Sequence, residues 1–506
     1  MIRSILTVGG WTLVSRGTGF ARDVLMAAYL GTGPVAEAFL VAFSLPNMFR
    51  RFFAEGAFNM AFVPMFAKKL EGGEDATGFA RDAWNGMVWI LLAFTVLGTL
   101  AMPWLVWAMA SGFAGERFDL AVTFGRISFS YILFISLVAL LSGILTSHKR
   151  FSEASFVPVL MNLVFIAAMG LAAWAGWDMG LTLAWTVPVT GVAQLAFTWV
   201  SARSLGYGFT LGWPRLTPEL KHLAVIAGPA VLAGGVVQIN MLVGRQVASF
   251  TEGAVAWLSY ADRLYQLPLG VVGIAIGTVL LPELSRRLRA GDAEGGRDAF
   301  NRGAEFALML TLPAAVALMV IAVPLCQVLY QRGAFGPADT QATALVLAIY
   351  GAGLPAFVLH KVLQPLFYAR EDSRSPFVYA LVSMVVNVGL AVGLLPLLGF
   401  SAAAWATTLS GWAMVGQLWW GSRKMAAEAQ FDARFRKRLP RIMLASAVMG
   451  GVLWGAAQVL DGPLNARFWH FPALGLLCAI GILAYFAVGA LIGAFRLSDL
   501  RALRRR

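Results

Sequence analysis

About fourteen stretches of mostly apolar residues, each about 20 residues or longer, follow one another along this chain. That is the length an α-helix needs to cross the hydrocarbon core of a bilayer. The stretches fall near 5–30, 35–66, 83–110, 121–147, 155–176, 179–202, 222–250, 254–283, 303–331, 339–368, 375–398, 400–422, 440–460 and 470–494. In lipid, every backbone N–H and C=O must find a partner within the protein, which a helix provides within one segment. The expected fold class is therefore an all-α integral membrane protein with about 14 transmembrane helices. Composition agrees. Of the 506 residues 59% are hydrophobic and 13% charged, with mean hydropathy +0.73. A soluble domain carries about 25% charged residues, so this chain lacks the polar surface to face water.

The formal net charge is +13. The cations cluster in alternate loops: Lys68, Lys69 and Arg81; Lys149 and Arg150; Arg203, Arg215 and Lys221; Arg286 to Arg302; Arg370 and Arg374; Arg423 to Arg441. The intervening loops hold little beyond Arg117, Arg332 and Arg467. The positive-inside rule then places both termini, including Arg504, Arg505 and Arg506, in the cytoplasm. Cations confined to short loops between apolar runs point to membrane lipids as partners, and no basic aromatic module for nucleic acid is present. Cys326 and Cys478 lie in apolar runs and offer no disulfide framework or zinc spacing. Residues 1–29 do not read as a signal peptide, because Arg16, Arg22 and Asp23 interrupt the apolar region.

The chain also repeats itself at about 220 residues. Val63-Pro64, Lys68-Lys69 and Arg81-Asp82-Ala83-Trp84-Asn85 are echoed by Leu281-Pro282, Arg286-Arg287 and Arg297-Asp298-Ala299-Phe300-Asn301. Ala101-Met102-Pro103 is echoed by Ala322-Val323-Pro324, and Ser111-Gly112-Phe113 by Gly333-Ala334-Phe335. The reading is two pseudo-symmetric six-helix lobes, 1–216 and 217–425, followed by a third segment, 426–506, with two further helices and a basic tail. Such a plan is that of a transporter, with the substrate path between the lobes near the midplane.

Charges stand where lipid should be. The first lobe holds Arg16, Arg22, Asp23, Glu37, Arg50, Arg51 and Glu55; the second holds Arg245, Asp262, Arg263, His360 and Lys361. At 1.5 Å rise per residue, Arg16 lies about 16 Å into its span and Arg263 about 13 Å into its own. A cation at the bilayer centre costs at least about 2.5–3.5 kcal/mol on insertion scales unless it pairs, meets water or binds a ligand. Asp23, Asp262 and Glu55 are candidate partners for neighbouring arginines, but the surplus is positive. A cationic wall implies an anionic ligand, and the guanidinium fork suits phosphate. For Arg22, Arg51 and Lys361 a purely structural ion pair or snorkelling is an equal reading. No catalytic constellation is evident: the four histidines are scattered without metal spacing, and no Gly-rich loop ending in Lys-Ser or Lys-Thr marks an ATPase. The driving force expected is a monovalent cation gradient, the membrane potential or the substrate gradient, without a cofactor.

Three motifs carry a family resemblance. They are Ser15-Arg16-Gly17-Thr18-Gly19-Phe20-Ala21-Arg22-Asp23; Leu45-Pro46-Asn47-Met48-Phe49-Arg50-Arg51-Phe52-Phe53-Ala54-Glu55-Gly56-Ala57-Phe58; and Tyr260-Ala261-Asp262-Arg263-Leu264 with Leu267-Pro268-Leu269-Gly270. In them the chain resembles the MurJ/MviN family of lipid II flippases. The resemblance implies a fold of the multidrug/oligosaccharidyl-lipid/polysaccharide exporter class. It also implies transfer of lipid II, an undecaprenyl-pyrophosphate-linked peptidoglycan precursor, to the outer leaflet, alongside cell-wall synthesis enzymes. It assigns substrate binding to Arg16, Arg22, Arg50, Arg263 and Glu37. Supporting positions are Asp23, Arg51, Glu55, Asp262 and Gln266, and the last two spans form a groove for the lipid tail. The chain departs from some relatives in having Gln266 where they carry Glu, and Gly244 near an acidic position tied to sodium; Asn387 is the remaining candidate ion ligand. Three other readings stay open: a flippase for another polyprenyl-pyrophosphate oligosaccharide, a cation-coupled exporter, and a non-transporting scaffold for cell-wall enzymes.

Overall fold

The computed structural model describes residues 2–50, 57–423, 425, 429–466 and 468–495. Its helices are α1 (Ile2–Leu30), α2 (Pro34–Arg50), α3 (Ala57–Glu71), α4 (Ala76–Leu100), α5 (Met102–Met109), α6 (Glu116–Ser128), α7 (Tyr131–Ser147), α8 (Phe151–Ala175) and α9 (Met179–Arg203). There follow α10 (Pro218–Ala248), α11 (Ala254–Arg289), α12 (Ala293–Val320), α13 (Ala322–Tyr330), α14 (Pro337–Tyr368), α15 (Arg374–Leu398), α16 (Ala402–Ser422), α17 (Ala433–Val459), α18 (Asp461–Asn465) and α19 (His470–Leu491). Among the described residues, nine helical segments are long and apolar enough to cross a bilayer. Trp174, Val459 and Leu397 are 86%, 82% and 79% exposed. Exposed apolar side chains on this scale are the natural surface of a protein whose solvent is lipid.

Three predicted spans are broken. The span expected at 83–110 divides at Ala101 into α4 and α5, and that expected at 303–331 divides at Ile321 into α12 and α13. Pro103 and Pro324 follow within three residues. Proline lacks a backbone N–H and biases the residue before it away from helix, so it begins a helix more readily than it continues one. The third, expected at 121–147, starts earlier and breaks at Phe129–Ser130. There the Ser130 hydroxyl donates to the Ile127 carbonyl at 3.1 Å, competing for a helical acceptor.

The chain forms two compact units, 1–256 with 332–335, and 257–331 with 336–506. The first is centred on Phe62, Phe66, Phe79, Trp84, Leu141, Ile144 and Tyr207, drawn from α3, α4, α7 and the segment after α9. In the second, Phe300, Val362, Leu366, Phe367 and Leu418 unite α12, α14 and α16. There α17 and α19 join α12 and α13 through Ile321, Val328, Ile442, Met449, Leu453 and Leu477.

The sequence repeat has a structural counterpart inside each unit. Asp75 caps α4 by accepting from Gly78 N at 2.7 Å, and Asp292 caps α12 by accepting from Gly295 N at 2.7 Å. Between two and three turns further along, Asn85 Oδ1 accepts from Gly212 N at 3.0 Å, and Asn301 Oδ1 accepts from Asp432 N at 3.0 Å. Trp84 stacks on Phe209, and Phe300 on Phe431, each with centroids 5.6 Å apart. The repeated aromatic-Asn pair therefore anchors the linker that follows the last helix of its own half. In the second unit the anchor is enlarged by charge. Buried Glu305 accepts from Arg302 (2.5 Å), Arg434 (3.4 Å) and Arg438, and Asp432 from Arg302.

Candidate functional site

Five of the sequence-selected positions lie in the described part of the first unit. Arg22 on α1 is 5% exposed and Asp23 7%. Arg22 Nη2 and Nε donate to Asp23 Oδ1 at 2.8 and 3.1 Å, and Nη1 donates to Asn162 Oδ1 of α8 at 3.1 Å. The guanidinium also lies 5.6 Å from the Phe165 ring centroid. Asn162 is held in turn, since its Nδ2 donates to Ser15 O (3.0 Å) and Thr18 Oγ1 (3.2 Å). Arg16, six residues before Arg22, is half-buried, and no described residue bonds or pairs with it. A buried arginine held by one carboxylate and one amide keeps donors in a fixed plane, the arrangement that bidentate phosphate recognition uses.

Glu37 is fully buried and committed elsewhere. Its Oε2 accepts from Arg117 Nη1 at 3.2 Å and its Oε1 from Val255 N at 3.1 Å, in the first turn of α11. Anionic groups are favoured at a helix N-terminus because its first N–H groups lack helical partners. Arg117 also donates to Ser249 O and Gly112 O at 3.4 Å each and lies 4.9 Å from the Phe113 ring. The resemblance assigns substrate binding to Glu37; in this structure its carboxylate ties α2 and α6 to the start of α11.

The same end of this unit carries two clamped loops. Ser111 N and Oγ both donate to Gln246 Oε1, at 2.8 and 2.7 Å, and Gly112 N to Ser249 Oγ at 2.9 Å. Ala334 N donates to Ala28 O at 2.8 Å. Gly31 lies against Ala334 and Gly333 against Ala28, with φ of 62° and 58°, a conformation costly for any residue with a Cβ. The two loops are the repeated Gly-x-Phe and Gly-Phe segments of the sequence, with Phe113 and Phe335 both buried.

Arg50, the last described residue of α2, is half-buried; Arg51 and Glu55 lie outside the described residues. In the second unit Arg263 is exposed on α11, and Gln266 donates to Asp262 one turn before it. Asn387 is buried on α15, 2% exposed. Among the described residues, no group of three or more His, Cys, Asp or Glu side chains could hold a metal ion. Sequence reading missed Arg117 and Asn162. Each had a signal: Arg117 is a rare cation on the Arg-poor side, and Asn162 a polar residue inside an apolar span.

Comparison with known proteins agrees with this architecture. The family model described as "Lipid II flippase MurJ" matches residues 26–469. A protein of Rhizobium tropici named probable lipid II flippase MurJ is 44% identical, over 99% of this chain and 96% of its own length. The lipid II flippase MurJ of Burkholderia cenocepacia is 38% identical over 79% of each chain. Among solved structures, lipid II flippase MurJ in an inward closed conformation matches with a TM-score of 0.78 at 26% identity, covering 96% of this chain and 98% of that one. An inward-facing multidrug resistance transporter of the MATE family shares the fold alone, with a TM-score of 0.69 at 16% identity over 84% of this chain and 98% of its own. The chain thus belongs to the MurJ family of lipid II flippases.

Proposed function

We propose that this protein moves lipid II from the cytoplasmic to the outer leaflet of the bacterial inner membrane. It is a transporter, not an enzyme. The observation that carries this is the 44% identity, over 99% of the chain, to a protein named probable lipid II flippase MurJ. The chemistry is consistent with it. Arg16, Arg22, Arg50 and Arg263 are the proposed contacts for the pyrophosphate, whose charge makes crossing the bilayer core unaided prohibitive. The prenyl tail stays in lipid, with the α17–α19 region as its groove. Transport proceeds by alternating access, the head group facing one side of the membrane at a time.

Both termini lie in the cytoplasm in this reading. The membrane potential, negative inside, favours outward movement of an anion by about 2.3 kcal/mol per net charge per 100 mV. A cation gradient, with Asn387 as ligand, is the second candidate source. Partners are lipid II, the surrounding lipids and the cell-wall enzymes that use the exported precursor.

The test is leaflet transfer of labelled lipid II in vesicles containing the purified protein, beside an Arg16→Ala/Arg263→Ala variant. The wild type is expected to transfer and the variant to insert without transferring. Equal transfer by both overturns the arginine assignment. Transfer of a different polyprenyl-pyrophosphate oligosaccharide, with lipid II inert, reassigns the cargo.

A further inference from the structure

Asn162 is 3% exposed in the middle of an apolar helix, and its polar atoms are bonded on both sides. A buried side-chain amide must satisfy both ends or cost stability, and Asn162 does so with Arg22 on one side and the α1 backbone on the other. Its orientation is unambiguous. The NH2 group faces two acceptors, Ser15 O at 3.0 Å and Thr18 Oγ1 at 3.2 Å, so the oxygen must face Arg22 Nη1, 3.1 Å away. The fit is close at Gly19, where an added Cβ would stand 3.2 Å from Asn162 Nδ2 and the amide would have to give by a few tenths of an ångström. The Ser15–Asp23 motif thus contains both the arginine and the notch that admits its holder. Phe165, three residues along α8 on the same face, lies against the guanidinium.

We infer that Asn162 is a positioning residue for head-group recognition: its amide fixes the plane of the Arg22 guanidinium while adding no negative charge. The inference rests on the reading of Arg22 as a pyrophosphate contact. A carboxylate at position 162 could still accept from Arg22, but it would lose the donor that Nδ2 gives to Ser15 O and Thr18 Oγ1, and it would place Arg22 between two anions. A buried cation between two carboxylates has no charge left to offer a phosphate. An apolar residue would leave the charge and release the plane. The neutral acceptor is the one side-chain chemistry that does both jobs, and Asp23 already supplies the single carboxylate a buried arginine needs.

The experiment measures binding of inorganic pyrophosphate and of lipid II to the full-length protein, wild type beside Asn162→Ala, Asn162→Asp and Asn162→Asp/Asp23→Asn, with melting temperature recorded for each. Expected are about tenfold or greater weakening of both ligands in Asn162→Asp, and a partial recovery of about threefold or more in the double variant, which restores the single carboxylate beside Arg22 while the donor to Ser15 O stays lost. Asn162→Ala weakens binding of both ligands several-fold, beyond what any fall in its melting temperature accounts for. A residue that only packs α8 on α1 predicts affinity that follows melting temperature and no recovery on the swap; that result overturns the inference, as does wild-type affinity in Asn162→Asp. Should Asn162→Asp fail to insert, the isoelectric double variant and Asn162→Ala decide by the same criteria. A wild type that binds pyrophosphate but not lipid II refutes the cargo and leaves the pyrophosphate series to judge Asn162. A wild type that binds neither overturns both.

Discussion

At the scale of single residues, the Arg22–Asp23 and Arg117–Glu37 ion pairs carry different expectations. Arg22 and Asp23 are neighbours on one helix, with side chains 6% and 9% exposed. Removing one member of a buried pair leaves an uncompensated charge and costs about 3–5 kcal/mol. Asp23→Ala should therefore lower the melting temperature in detergent well below the wild type, and an unchanged melting curve would show that Arg22 has another counter-charge. Glu37 and Arg117 come from α2 and α6, 80 residues apart. Glu37→Gln keeps the shape and loses the charge that faces the α11 N-terminus. The expected loss is about 1.5–3 kcal/mol, typical of a charged hydrogen bond. A double-mutant cycle with Arg117→Ala should return a coupling energy above about 0.5 kcal/mol; additivity would mean that the two act independently.

At the scale of elements, the repeated motifs act as anchors and clamps. Gly31 and Gly333 hold positive φ at backbone-to-backbone contacts, and a Cβ on Gly31 would meet the Ala334 carbonyl. Left-handed backbone costs an ordinary L-residue about 1–2 kcal/mol before any clash is counted. Gly31→Ala or Gly333→Ala should speed amide hydrogen exchange in 28–33 and 332–335 while leaving α7 and α14 protected. The linker anchors make a parallel prediction. Asn85→Ala should loosen the segment after α9, and Asn301→Ala the segment before α17, each seen as faster proteolysis of that linker alone. Equal protection in variant and wild type would reduce the repeated Asn to a coincidence of sequence.

At the scale of the whole molecule, the alternation of cation-rich and cation-poor loops is the largest electrostatic feature. It predicts a single topology. In intact cells, a membrane-impermeant thiol reagent should label a cysteine placed at Trp177 and spare one placed at Lys149. The opposite pattern would invert the protein and with it the direction proposed for lipid transfer. Native Cys326 is buried and Cys478 half-buried, so a cysteine-free background is prudent for the second position only.

The sequence by itself determined the class of solvent, the all-helical architecture, the positions of most helices, the repeat and the family. Each of these rests on local quantities: the transfer free energy of about 20 consecutive residues, the charge of a loop, the order of residues in a motif. It did not show that α4 and α12 each stop one residue before a new helix, because the proline that ends them could equally have kinked a continuous one. Nor did it show which charges were already spoken for. Arg22 finds Asn162 140 residues away, and Glu37 finds Val255 218 residues away. Only the tertiary structure decided that Glu37 is a helix cap and that Arg22 is held by an amide, since a partner so distant in the chain becomes a neighbour through packing alone.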